Sequence, residues 1–312
     1  MRICLSADME GISQIVDPRE VKAFCDEYWI SGRDRMNDDV VAAATGLLEG
    51  GAQEVIVLDN HGSGNTFNLM DEALVEGSRL ETWNVFDLRE KGVNAMLQVG
   101  YHARCGERGF MSHTYVGGLR LRAQGELISE SHGRAWGSGV PLLGIIGNDE
   151  HERTLGSLDG VPYLVVQRTI SRDRARPVYG DPEESRMAIR AFAAEAVRNI
   201  RHAPLPSPPR NFLFESSMPM GIANAEVMEA ASWRRRSATE FEIELSTWEE
   251  ARKPLAAAMS ATVASYRRFF SNGELRTREI FESFDRSVLT SAAASFMDWA
   301  HELQADWIAS VK

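Results

Sequence analysis

The chain has 312 residues, 44% hydrophobic and 25% charged, which is typical of a globular protein that buries a full core as one large domain or two smaller ones. With 45 acidic against 34 basic residues, the formal net charge is −11. This acidic balance argues against nucleic acid as a partner, because binding to a phosphate backbone requires a positive surface.

Hydrophobic and cysteine patterns limit the cellular setting. No apolar run reaches the ~18 residues that a membrane span needs, and the chain opens directly with a predicted strand, so we expect neither a membrane partner nor a signal peptide. The cysteines Cys4, Cys25 and Cys105 are too few and too widely spaced for a disulfide framework or a CxxC zinc motif. A reducing compartment suits them, and we predict a cytoplasmic protein.

The first predicted element is a short buried strand that ends in two acids. Ile3–Leu5 is apolar, and the chain continues as Ser-Ala-Asp-Met-Glu-Gly through Gly11. Side chains two positions apart in an extended chain point to the same side, so Asp8 and Glu10 should lie together at the carboxyl end of the strand, where open α/β sheets bind ligands. A divalent cation between the two carboxylates would relieve their repulsion; two solvated loop acids are the alternative.

The next elements repeat this arrangement. Helical spacing of apolar residues predicts a helix from about Ser31 to Glu49, closed by Gly50-Gly51. Residues 54–58 then form a second buried strand that runs into Asp-Asn-His, ending at His61. A β-α-β order implies a parallel pair, which places His61 on the same sheet edge as the acids.

The remaining pattern predicts an α/β protein with a mainly parallel sheet flanked by helices, a smaller second α+β lobe and a helical C-terminal extension. Further strands are predicted at 80–85, 95–100, 140–146, 163–166, 211–215 and 240–245, and further helices at 126–136, 181–201, 248–270 and 278–311. The proline-rich residues 204–209 mark the boundary. We therefore predict a metal-binding catalytic domain over residues 1–203 and a second domain over residues 210–312.

Two more candidate ligands come from later elements. His102 follows the strand at 95–100, and Glu126 stands at the predicted start of a helix. Mixed carboxylate and imidazole ligands suit zinc better than magnesium, which prefers oxygen ligands. One tetrahedral ion that also binds water needs fewer than five protein ligands. Five ligands are enough for two metals that share one carboxylate, and Asp8 is the candidate for the shared carboxylate. The predicted ligands are Asp8, Glu10, His61, His102 and Glu126.

Each of these residues also has a structural explanation. His61 is suited to cap a turn, His102 to be a buried histidine bonded to backbone, and Glu126 to favour a helix N-terminus. His113 is compatible with a surface loop. The other histidines that we expect to be structural or surface residues are His132, His202 and His301. His151 lies just past a predicted strand exit, and we expect it at the surface.

Five short segments together resemble the zinc D-aminopeptidases of the dipeptide-transport operon type. In order and rough spacing these are Ser6–Gly11, Asp59–His61, Gly100–Arg104, Met111–His113 and Gly125–Leu127, with a further signature at Thr169–Arg172. The resemblance covers roughly residues 1 to 260. The sequence departs from the family around Trp233–Arg236 and over the last forty or so residues, and these departures bear on substrate choice and assembly more than on the metal chemistry.

The resemblance implies a two-zinc hydrolase that removes N-terminal residues from short peptides, often D-alanyl ones, and assembles as a ring of identical subunits. By this resemblance the five predicted ligands bind the zinc ions and His113 is the catalytic histidine. Apart from the resemblance, a free acid near the metals would suit a substrate ammonium, and Asp59 is the candidate for it. Two alternatives stay open: a metal-dependent amidase acting on a non-peptide amide, and a non-catalytic ring-forming metal protein.

Overall fold

The computed structural model describes residues 1–22, 26–62, 68–70, 74–158, 160–217, 222–237, 240–259 and 261. The predicted helix at 278–311 and the end of the one at 248–270 lie outside this part of the chain. The strands are β1 Arg2–Ala7, β2 Glu54–Asp59, β3 Ser78–Glu81, β4 Ala95–Tyr101, β5 Leu119–Ala123, β6 Glu126–Ile128, β7 Leu142–Asn148, β8 Tyr163–Ser171, β9 Arg174–Pro177, β10 Phe212–Ser217, β11 Arg234–Arg235 and β12 Glu240–Leu245. The helices are α1 Asp26–Glu49, α2 Glu130–Ser138, α3 Asp149–Glu152, α4 Pro182–Arg198 and α5 Ile222–Ala230, and residues 252–259 are also helical.

The first of two compact units comprises Met1–Lys22, Tyr28–Ser112 and Ser129–Ser207. Its seven-stranded sheet has the order β3-β2-β1-β4-β7-β8-β9, and every pairing is parallel except that of β9 with β8. The central strands β1, β2, β4 and β7 are buried along almost their whole length, as expected when helices cover both faces of a parallel sheet. The predicted α/β class with a mainly parallel sheet is confirmed.

The strand order reverses at β1, whose neighbours β2 and β4 both follow it in sequence. The chain therefore leaves β2 and β4 on opposite sides of the exit from β1. Open α/β sheets bind ligands in the crevice that such a switch point creates at the carboxyl edge. This topology gathers the segments that follow β1, β2 and β4 at one place.

A glycine makes the close approach of β4 to the exit of β1 possible. Gly100 has φ +78°, and a Cβ atom there would lie 2.0 Å from the carbonyl oxygen of Asp8. Backbone bonds join the two segments on either side of this contact, from Asp8 N to Val99 O (2.8 Å) and from Gly11 N to Gly100 O (2.7 Å). Any side chain at Gly100 would push the acid-bearing segment away from β4.

The second unit contains His113–Ile128 and the described chain from Pro208 onward. Its five-stranded sheet has the order β11-β12-β10-β5-β6 with antiparallel pairings. One face of the sheet forms a core of aromatic side chains, which includes Phe212, Phe214, Trp233, Phe241 and Trp248. Three consecutive arginines, Arg234 to Arg236, form a basic cluster at β11. Arg234 and Arg236 both form ion pairs with Glu242, so the charge of this cluster is partly neutralised.

Several short elements differ from the sequence prediction. Strands β5 and β9 were not predicted, and α2 begins at Glu130 because β6 continues through Ile128. Residues 113–128 were predicted with the first domain, but they group with the second unit because β5 pairs with β10. Within the described residues, none of the helices is long and apolar enough to cross a membrane.

Candidate metal centre

Three strand exits bring buried acids and histidines together in the first unit. Asp8 and Glu10 follow β1, His61 follows β2 and His102 follows β4. Asp8, Glu10 and His102 are 3%, 1% and 0% exposed. Carboxylates are seldom buried this completely unless they are paired or coordinate a metal. We therefore expect this cluster to bind a cation.

The orientation of His61 presents one ring nitrogen to the acids. Its Nε2 lies 2.8 Å from the carbonyl oxygen of Val21, and because a carbonyl accepts only, Nε2 carries the proton. Nδ1 lies 3.1 Å from Glu10 Oε2 and 3.5 Å from Asp8 Oδ1. In the neutral imidazole, Nδ1 is a lone pair that faces two carboxylate oxygens. This arrangement is favourable only with a proton or a metal ion between them.

His102 repeats this geometry on the other side of Asp8. Its Nδ1 donates to the carbonyl oxygen of Ala103 at 2.9 Å, which leaves Nε2 as the second nitrogen. Nε2 lies 3.5 Å from Asp8 Oδ2 and 3.4 Å from Glu130 Oε1. Histidines that bind metals usually donate the other ring N–H to a carbonyl or carboxylate in this way.

Asp8 belongs to two groups of potential ligands in the first unit. One group is Asp8, Glu10 and His61 and the other is Asp8, His102 and Glu130, with the ligand atoms of each group within 4.8 Å of one another. Asp8 Oδ2 is buried and has no hydrogen-bond partner among the residues that the structure describes. Two ligands about 2.0–2.1 Å from a tetrahedral zinc lie about 3.3 Å apart, and the nitrogen–oxygen distances above bracket this value. The residues therefore fit zinc at two adjoining positions.

The acids also control protonation of the two histidines. Burial lowers the pKa of His102 and is the largest single effect, but the hydrogen bond with Glu130 and the charges of Glu10, Glu130 and Asp8 outweigh it and raise the pKa to about 9. For His61, burial is likewise opposed by Glu10 and Asp8, which raise its pKa well above the ordinary value. A cluster that draws a proton onto each imidazole also attracts a divalent cation.

The structure does not bring Glu126 to this cluster. Glu126 is exposed on β6, because the turn at Gln124 and Gly125, both with positive φ, forms a hairpin in which Glu126 pairs with Ala123. Glu130, which is 3% exposed at the start of α2, occupies the position predicted for Glu126. A helix N-terminus favours a carboxylate, and the Ser129-Glu130 pair was the local signal for this start that the sequence prediction missed.

A partly buried series of hydrogen-bonded polar side chains lies beside the candidate ligands. The hydroxyls of Tyr101 and Ser6 are 2.6 Å apart, Asn60 Nδ2 donates to Ser6 Oγ at 2.7 Å, and Arg134 donates to Asn60 Oδ1 at 2.7 Å. Each of the four residues is within four chain positions of a candidate ligand. Tyr101 lies next to His102 and Asn60 lies next to His61 in sequence. Ser6 is close to Asp8, and Arg134 is one helical turn from Glu130. These hydrogen bonds therefore connect β1, β4, α2 and the residue that follows β2, beside the cluster.

Asp59, suggested above as a holder of a substrate ammonium, makes other bonds. Its carboxylate accepts hydrogen bonds from His61 N at 3.2 Å, from Asn68 N at 3.1 Å and from Asn68 Nδ2 at 3.2 Å. Burial raises its pKa to about 6, against the effects of His61 and Asn68. These contacts indicate that Asp59 holds the backbone at His61.

The remaining histidines fall into separate environments. His113 is half-buried, follows the last residue of a first-unit segment and opens the segment His113–Ile128 of the second unit. His132 and His151 are fully buried and both contact Ser129 Oγ, at 2.7 and 3.2 Å. Burial lowers the pKa of His132 to about 4 and that of His151 well below the ordinary value. His132 therefore has the structural role predicted for it, whereas the surface position predicted for His151 is wrong, because His151 is 0% exposed. His202 is exposed, and His301 lies outside the described residues.

Comparisons with known proteins agree with the resemblance seen in the motifs. A D-aminopeptidase from Bacillus subtilis (strain 168) is 28% identical over 185 residues, which are 56% of this chain and 67% of that protein. The solved structure of the Zn-dependent D-aminopeptidase DppA from Bacillus subtilis, described as a self-compartmentalizing protease, matches with a TM-score of 0.70 and 23% identity over 85% of this chain and 98% of that one. The family model of peptidase family M55, D-aminopeptidase, matches residues 1–257. The chain therefore belongs to the D-aminopeptidase family of peptidases.

Proposed function

We propose that this protein is a zinc-dependent aminopeptidase that hydrolyses the N-terminal amide bond of short peptides, including those that begin with a D-amino acid. The observation that supports it most directly is the pair of histidines on either side of Asp8. Each histidine donates one ring N–H to a backbone carbonyl and presents the other nitrogen to a different oxygen of Asp8. One carboxylate shared by two imidazole-containing groups is suited to two adjoining metals.

In this proposal, Asp8 is the shared ligand of two zinc ions. Glu10 and His61 complete one set of three protein ligands, and His102 and Glu130 complete the other. Catalytic zinc sites characteristically have three protein ligands and keep a further position for water or substrate. The five carboxylate and imidazole side chains are therefore enough for two catalytic ions without closing either one.

The chemistry divides between the metal and the protein. Bound zinc supplies a Lewis acid, which lowers the pKa of a water molecule to near neutral and polarises the scissile carbonyl. Asp8, Glu10 and Glu130 contribute the negative charge that retains the ions, and the backbone carbonyls of Val21 and Ala103 hold the two imidazoles in orientation. We assign His113 to proton transfer to the leaving amine or to stabilisation of the oxyanion.

The oligomeric state is part of the same proposal. The solved relative is described as a self-compartmentalizing protease, and this chain covers 98% of it. We propose that identical copies of this chain also assemble with their active sites facing a shared interior. A single-chain mass in light scattering would contradict this assembly.

A set of four amides tests the activity and separates it from the amidase alternative. Zinc-loaded protein should release the amine from D-alanyl and L-alanyl p-nitroanilides, with the D-isomer preferred, and should leave the corresponding N-acetylated compounds intact, because an aminopeptidase requires a free terminal amine. Metal analysis on the same sample should give up to two zinc ions per chain. Cleavage of the acetylated compounds at a similar rate would indicate a general amidase, and a preparation that neither binds nor is activated by zinc, manganese or cobalt would exclude metal-dependent hydrolysis.

The raised pKa values predict a pH dependence of zinc affinity. In the metal-free protein His102, with a pKa of about 9, and His61, with a pKa well above its ordinary value, are protonated at neutral pH. Zinc requires neutral imidazole, so each binding event must displace a proton. Apparent affinity should therefore rise with pH from 7 towards 9, by about tenfold per pH unit for each displaced proton. Competition with a chromophoric chelator at several pH values measures this slope, and an affinity independent of pH would contradict it.

A further inference from the structure

A fully buried glutamine on β8 binds the loop that carries Glu10. Gln167 is 0% exposed, and its Nε2 lies 2.9 Å from Glu10 O, 3.2 Å from Ile12 O and 2.7 Å from Ile15 O. An amide NH₂ group has two protons, so it donates to three carbonyls by sharing one of them. A single side chain thus contacts the backbone of this loop at three points.

The orientation of the Gln167 amide is determined from both ends. Asn148 Nδ2 donates to Gln167 Oε1 at 2.8 Å, and an NH₂ group can only donate, so Oε1 must face Asn148. The three carbonyl oxygens of the loop can only accept, so Nε2 must face the loop. Asn148 is itself held by Thr169, whose hydroxyl donates to Asn148 Oδ1 at 3.2 Å. A flipped Gln167 amide would place Oε1 against the three carbonyl oxygens of the loop and Nε2 against Asn148 Nδ2.

The loop is also held on its N–H side. Ser13 donates from its backbone N–H and from its hydroxyl to Asp39, both at 2.8 Å, and Gly11 N donates to Gly100 O. Gln167 supplies the opposite set of bonds, to the carbonyls. Because one of these carbonyls belongs to Glu10 itself, the contact acts on the backbone from which a candidate zinc ligand projects.

We propose that Gln167 is a positioning residue for zinc binding, which holds the Glu10 carboxylate in place by fixing the carbonyls of residues 10, 12 and 15. The proposal rests on the zinc site proposed above. Groups that orient metal ligands typically contribute 10–100-fold to metal affinity. Glu10 belongs to the set with Asp8 and His61, and its ligand atom also lies within 4.8 Å of that of His102. Gln167 therefore acts on at least the first of these positions.

Substitution of Gln167 tests this role. Gln167→Met keeps a similar length and removes the donor, while Gln167→Glu keeps the shape and replaces the donor with an acceptor. We expect both variants to bind at least one of the two zinc ions about 10–100-fold more weakly than the wild type in a stepwise titration. In the metal-free protein, amide hydrogen exchange over residues 10–15 should be faster than in the wild type.

Val166→Ala is the matched control, because Val166 is an equally buried apolar neighbour on β8. It should lower thermal stability without changing zinc affinity or exchange in this loop. The inference is overturned if Gln167→Met or Gln167→Glu binds both ions as tightly as the wild type, or if Val166→Ala weakens zinc binding equally. Wild-type protein that binds no zinc would instead overturn the proposed function, while faster exchange in the metal-free variants would still report the loop contact.

Discussion

Glu130→Gln is expected to abolish tight binding of one zinc ion and most of the turnover, whereas Glu126→Gln should behave as the wild type. Glu130 is buried and its Oε1 lies 3.4 Å from His102 Nε2, so the substitution removes a charged ligand while keeping its shape. Loss of a group that merely orients a ligand typically lowers metal affinity 10–100-fold. Loss of the ligand itself should therefore lower affinity by at least about 100-fold.

The two glutamates make a matched pair because they are four positions apart and differ in environment. Glu126 is exposed on β6, and surface substitutions of this kind usually change stability by less than about 0.5 kcal/mol. Zinc content and kcat/KM measured on both variants decide between the assignments. Normal zinc content in Glu130→Gln, or its loss in Glu126→Gln, would return the ligand role to Glu126.

His113→Ala should keep its zinc and lose turnover by about 10²–10⁴-fold, the contribution expected of a general acid–base or oxyanion group. His102→Ala should lose zinc and activity together, because Nε2 of His102 faces the oxygens of Asp8 and Glu130. His202→Ala, which removes an exposed histidine, is the control and should match the wild type.

The outcome separates the metal site from the mechanism. If His113→Ala retains both its zinc and a near-normal kcat, His113 has no catalytic role, although the ligand assignments would be unaffected. If His113→Ala also loses zinc, the residue belongs with the ligands. Metal analysis and steady-state kinetics on the same preparations distinguish these results.

Local sequence was sufficient for the parallel core and for much of the candidate site. The runs that became β1, β2, β4 and β7 are short, apolar and followed by polar residues, so burial of the strand and the position of its end at the sheet edge can both be predicted from sequence. Asp8, Glu10, His61 and His102 were predicted on this basis, since each directly follows a strand. Their meeting at one edge follows from the parallel β-α-β order.

Tertiary structure determined the elements for which the local sequence pattern was weak or was compatible with both a helix and a strand. β5, β6 and β9 are short strands that exist because they pair with β10, β5 and β8, and such pairing depends on segments distant in the chain. Because β5 and β6 form a hairpin, α2 begins only at Glu130 and Glu126 is exposed on β6. Residues 113–128 group with the second unit because β5 pairs with β10. Likewise, Gln167 contacts Glu10 from 157 positions away in sequence, and no local pattern marks it.

The sequence by itself therefore determined the class of the fold, the kind of ligands and the strand ends that carry most of them, because each depends on hydrophobic patterning over a few residues. Only the tertiary structure decided which glutamate reaches His102, which nitrogen of each imidazole is available, and which buried amide holds the loop of Glu10. The physical reason is that these features depend on distances and hydrogen bonds between segments, and those form only when the sheet order and the helix starts have brought the segments together.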